Sequence, residues 1–132
     1  MNTGPALVSI LRQGNTLVAS VNGALDDSEM LRFQVDLVQQ IGDYRARGVI
    51  IDVAALDVLD SFGSRTLRGI AEMARLRGAV TVVVGIQPDV AYAMVRLGMD
   101  MGSIATALDL EEGLAHLARL RDHPMGASRG GR

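Results

Sequence analysis

Ser61 is the side chain in this sequence best placed to do chemistry. It directly follows Asp60, closes the acidic stretch Asp57-Val58-Leu59-Asp60, and stands where an amphipathic helix begins. A hydroxyl in that position can cap the helix by accepting a backbone N–H or attack an electrophile if a base removes its proton. The second role needs a neighbouring base such as histidine. His116 and His123 both lie at the far C-terminal end, so a hydrolytic Ser61 is disfavoured. Capping is the reading that the position itself supports.

Other candidates fall away by residue type. All 13 basic residues are arginine, so no side chain can serve a Walker A phosphate loop or form a Schiff base. Asp52 ends a β-branched run as a receiver-type phosphoaspartate would, but that chemistry needs an early acidic pair and a late-strand lysine. With no cysteine there is no disulfide, thiolate metal site or thiol nucleophile. His116 and His123 do not make a metal site. No cofactor is expected. Asp26 and Asp27 read as helix caps, and Met94, Met99 and Met101 as core filler.

The elements that must position Ser61 follow from periodicity. Residues 6–12 and 16–22 are β-prone and separated by Gln13-Gly14-Asn15, which predicts an antiparallel hairpin. Asp26 and Glu29 form a capping box for a helix whose inner face carries Met30, Phe33, Leu37 and Ile41, ending by glycine near Arg45 to Gly48. Gly48 to Ala54 is a strand buried on both faces. Ser61 to Arg77 is the next helix, and Ala79 to Gly85 a strand parallel to the first. Pro88 opens a short helix, residues 104–106 form a short last strand, and Asp109 leads a final helix. The order is β-β-α-β-α-β-α-β-α, an α/β fold with a mixed central sheet and helices packed on it.

A chain of 132 residues is expected to be one domain. Residues 1–121 form it, and the Gly-, Ser- and Pro-rich stretch from Asp122 to Arg132 is expected to be a disordered tail. Net charge −2 gives no electrostatic reason to bind nucleic acid. The start lacks a signal-peptide pattern, and no apolar run approaches the roughly 20 residues that span a bilayer. The expected location is cytoplasmic.

Four stretches together resemble the STAS domain family, the fold of bacterial anti-sigma-factor antagonists. They are residues 48–52 running into Val58-Leu59-Asp60-Ser61-Phe62, the loop Gly85-Ile86-Gln87-Pro88-Asp89-Val90-Ala91, the opening Leu25-Asp26-Asp27, and residues 106–114. The resemblance covers about residues 6–121 and is strongest to the RsbS-like scaffolds of stressosomes. It implies a STAS fold and a non-enzymatic phosphoprotein that acts by partner switching in stress-response signal transduction.

The phosphoacceptor implied is Ser61, with partner contacts at Asp57, Leu59, Asp60, Phe62, Ser64 and Arg65. Ser64 also offers a second hydroxyl, and Arg65 or Arg68 can offset added charge. The implied partners are a serine/threonine kinase of the RsbT type, RsbR-type paralogues and a phosphatase of the RsbX type, in a homo-oligomer or large hetero-assembly. The alternative is a free antagonist that binds an anti-sigma kinase outside any large assembly.

Overall fold

The computed structural model describes residues 7–122 apart from 100 and 103. The five strands lie side by side in chain order. β1 (Val8–Gln13) and β2 (Thr16–Val21) form the expected hairpin, with Val8 opposite Val21 and Gln13 opposite Thr16. β3 (Gly48–Asp52), β4 (Val80–Val84) and β5 (Ala105–Ala107) follow, each parallel to its predecessor. The helix between each parallel pair supplies the return path that parallel strands require.

Side-chain alternation divides the sheet into two packed faces. Leu17, Ala19, Val49, Ile51 and Val83 point toward α1 (Asp27–Tyr44), α2 (Ser61–Leu76) and α3 (Pro88–Arg96), meeting Leu37, Ile41, Leu67, Ile70 and Met94. Val18, Ile50, Val82 and Val84 point the other way and meet Leu117 of α4 (Leu110–Asp122). The central strand is therefore apolar at every position from Val49 to Ile51, each fully buried, and each side chain contributes about 1.5–3 kcal/mol. Met94, Met99 and Met101 belong to this packing, as expected.

The capping box of α1 forms as read. Asp26 Oδ1 accepts the Glu29 N–H at 2.8 Å, while Glu29 Oε1 accepts the Asp26 N–H at 2.9 Å. The backbone N–H of Glu29, ahead of smaller influences, holds the Asp26 carboxyl below its ordinary 3.8. Asp109 caps α4 in the same manner, accepting the Glu112 N–H at 2.9 Å.

Three expectations need amendment. α1 is not stopped by a glycine: Arg45 takes the left-handed cap position with φ 52. Gly48 instead opens β3, where a Cβ would come within 2.8 Å of Leu117 Cδ1, so its role is to admit α4. The last strand is 105–107, one residue later than expected, and α4 includes Asp122. The expected tail disorder and His123 fall, from residue 123 onward, outside the described residues.

One buried polar atom, Thr81 Oγ1 in β4, has no hydrogen-bond partner among the described residues. An unsatisfied buried hydroxyl costs about 1–3 kcal/mol. Thr81→Val should therefore stabilise the fold by about 1 kcal/mol, measured as a higher urea midpoint with an unchanged slope; a lower midpoint would show that the hydroxyl is satisfied in solution.

Candidate functional site

The site is built where β3 ends. The Asp52 carboxylate accepts the Ala54 N–H at 2.9 Å and so makes a turn. Val53 N–H then donates to Val84 O, and Leu56 N–H to Val53 O, both at 3.0 Å. The loop is anchored through Val53, Leu56 and Leu59, which are buried, and presents Asp57, Val58 and Asp60 to solvent.

A second loop braces the first. Gln87 Nε2 donates to Ala54 O at 2.7 Å. Gly85 has φ +81, and a Cβ there would lie 2.9 Å from Ala54 Cβ and 3.1 Å from Ala54 N. The Gly-Ile-Gln-Pro sequence thus has a physical meaning. Its glycine permits the approach, its glutamine ties the two loops, and Pro88 starts α3.

At the start of α2 the capping role belongs to Asp60, whose Oδ1 accepts the Gly63 N–H at 2.8 Å. Ser61 is the first residue inside the helix. It is exposed, and its hydroxyl makes no hydrogen bond among the described residues. Asp60 therefore fixes the backbone, and Ser61 is left over. The first turns of the other three helices carry acids, Asp27 and Glu29 in α1, Asp89 in α3, Glu111 and Glu112 in α4. That of α2 carries none. A helix N-terminus favours negative charge; at α2 the cap carboxylate of Asp60 supplies it, and the neutral Ser61 hydroxyl stands beside it.

Gly63 lowers helix propensity by about 1 kcal/mol relative to alanine, and packing explains it. A Cβ at Gly63 would meet Leu59 Cδ1 at 2.9 Å and Asp60 Oδ1 at 3.2 Å. The glycine lets the loop leucine and the cap fold tightly under the first turn.

The remaining expected site residues separate into two layers. Asp57, Asp60 and Arg65 are on the surface, Arg65 four residues after Ser61 on the same helix face. Arg68 is also exposed and lies against Gly102. Phe62 is half-buried and packs on the core.

Leu59 and Ser64 are corrections: at 7% and 2% exposure they lie beneath the surface and support it. The Ser64 hydroxyl donates to the Met99 sulfur at 3.4 Å, so it is not available as a second acceptor in the folded state. Val58, 71% exposed beside these acids, is an apolar surface group that sequence reasoning passed over. Its signal was the spacing of Leu56 and Leu59, which turn inward and leave Val58 outward.

Among the described residues no group of three or more His, Asp or Glu side chains is arranged to hold a metal ion. His116 sits on α4 with Nδ1 3.4 Å from an Arg119 nitrogen. No helix of the described residues is long and apolar enough to cross a membrane.

Comparison with known proteins bears on the family and the fold. Residues 8–113 match the family model described as the STAS domain. A serine-to-glutamate variant of RsbS from Moorella thermoacetica is 35% identical, with a TM-score of 0.77, covering 89% of this chain and 99% of that one. A chain of the stressosome, described as a signal integration and transduction hub, is 32% identical with a TM-score of 0.69, covering 86% and 98%. The RsbT co-antagonist protein RsbRA of Bacillus subtilis is 27% identical over 108 residues, which are 82% of this chain and 39% of that protein. The chain thus spans about two-fifths of the length of that relative.

Proposed function

Because the chain belongs to the STAS domain family, we propose that it is a phosphorylation-controlled, non-enzymatic scaffold and anti-sigma-factor antagonist of a stressosome. It holds a serine/threonine kinase of the RsbT type while Ser61 is unmodified, and releases it once Ser61 carries a phosphoryl group. RsbR-type paralogues share the assembly, and a phosphatase of the RsbX type restores the hydroxyl. The work is cytoplasmic.

The observation that carries this reading is the division of roles at the start of α2. Asp60 takes the cap bond, and the adjacent Ser61 hydroxyl is exposed and unengaged. Phosphorylation adds about −1.5 to −2 charges. The helix N-terminus and Arg65 favour those charges, whereas Asp57 and Asp60 oppose them. The fold tolerates the modification, and the altered quantity is the charge of the surface formed by Asp57, Val58, Asp60, Ser61 and Arg65. Similarity to the RsbS variant and to the stressosome chain supports the assembly context.

Incubation with an RsbT-type kinase and ATP, followed by peptide mass spectrometry, should place one phosphate on Ser61 and none on Ser64, and Ser61→Ala should take up none. Phosphate on another residue, with Ser61→Ala still a full acceptor, would refute the assignment. The alternative reading is a free antagonist that binds an anti-sigma kinase outside a large assembly. Mixing with an RsbR-type paralogue separates the two, because a scaffold elutes in a particle far larger than a dimer and a free antagonist does not.

A further inference from the structure

The opposite end of the sheet carries a second arrangement, about 16 Å away along β3 at the usual strand rise. There the C-termini of α1 and α2 meet the start of β3 around a cavity of about 400 Å³ lined by Gly42, Arg45, Arg47, Arg77 and Gly78. None of the three guanidinium groups has an ion-pair partner among the described residues; the ion pair at this end joins Arg75 to Glu72 at 2.8 Å. Basic residues offset the dipole at helix C-termini, which accounts for Arg45 and Arg77 as helix caps. It does not account for Arg47, which stands outside any helix.

One detail shows that Arg45 is held at some cost. Arg45 is the sole non-glycine residue with positive φ among the described residues, at φ 52. Glycine would occupy that position with less strain. Arg77 lies across Gly42, where a Cβ would overlap the guanidinium, its Cζ being only 3.0 Å away. The backbone beneath is fixed: Arg47 N–H donates to Asn15 O at 2.8 Å, Val80 N–H to Arg47 O at 3.0 Å, and Arg77 N–H to Ala74 O at 2.9 Å.

We propose that this cavity binds a small phosphoryl oxyanion carrying two or more negative charges, at a site separate from Ser61. The planar guanidinium fork matches phosphate oxygens, and charge-assisted bonds of this kind are stronger than neutral ones. The opening lies within the size range of small-ligand sites.

The test is titration of the full chain with inorganic pyrophosphate at ionic strength held constant with sodium chloride, followed by nitrogen-15 NMR. Saturable shifts are expected at the backbone amides of Ala46, Arg47 and Gly78 and at the three arginine Nε–H groups. Arg77→Ala and Arg45→Gly should each weaken binding about tenfold. Arg45→Gly should also raise the melting temperature, which separates lost binding from lost folding. Gly42→Ala should weaken binding without removing a charge, because it displaces Arg77. Arg119→Ala, outside the cavity, should bind as the parent does. Shifts that never saturate, or an Arg119→Ala loss as large as that of Arg77→Ala, would reduce the effect to net charge and overturn the proposal.

Discussion

Ser61→Glu should leave the fold as stable as the parent, or slightly more so, while weakening capture of the kinase at least tenfold. The two halves of this expectation have different causes. Ser61 is exposed in the first turn of α2, a turn with no acid of its own. A carboxylate there gains about 0.3–1 kcal/mol from the helix N-terminus, against which Asp57 and Asp60 act. A surface change of this kind stays within about 0.5 kcal/mol in total.

At the partner contact the same carboxylate must be desolvated. Like charges brought together at an interface cost several kcal/mol, and each 1.4 kcal/mol is about tenfold in affinity. The doubly charged phosphoserine should act more strongly than glutamate. Calorimetric melting and a quantitative pull-down measure the two halves separately. Capture equal to the parent's would remove charge as the switch, and a large fall in melting temperature would mean that Ser61 is part of the fold's support.

Gly85→Ala should be the most damaging single substitution near the site, although it alters no group expected to touch a partner. The residue has φ +81, which costs an L side chain about 1–2 kcal/mol. The added Cβ would also stand 2.9 Å from Ala54 Cβ and 3.1 Å from Ala54 N, a clash of the kind that costs about 1–3 kcal/mol. A loss of about 2–5 kcal/mol is expected on these two grounds, a large share of the 5–15 kcal/mol typical of a domain.

In molecules that still fold, Ala54 must move, and with it the bond from Gln87 that ties the two loops. Amide exchange should then accelerate across residues 53–60, and phosphorylation of Ser61 should slow. Urea unfolding and hydrogen exchange provide the measurements. A loss below 1 kcal/mol with unchanged exchange would show that the loops are not rigidly coupled.

The parts of this architecture legible in the sequence are those that repeat. The unbroken apolar runs at 49–51 and 82–84, the four-residue spacing of Phe33, Leu37 and Ile41, and the paired acids Asp26 and Glu29 each point to one element. The site loop has no such period. Asp60 and Ser61 are both good capping residues, and their order alone does not say which one takes the bond; that was decided by Gly63, whose N–H reaches the Asp60 carboxylate.

Leu59 and Ser64 were read as surface groups because they flank the serine. Neighbours in a tight turn face opposite ways, however, and only the burial of Leu59 in the core and the bond from Ser64 to Met99 reveal the inner layer. Arg45 is the reverse case: sequence reasoning expects glycine in a left-handed cap, and an arginine stands there. The expectation that Ser61 accepts phosphate rests on family resemblance and not on periodicity.

The separation of tasks between Asp60 and Ser61 has a further consequence for how such a switch would endure use. A chain whose hydroxyl both stapled the helix and accepted phosphate would loosen at every round of writing and erasing. Here the staple is a neighbour that no kinase of this type modifies, so marked and unmarked molecules should share one shape and one lifetime. The message would then reside in a single ester bond, erasable without refolding anything.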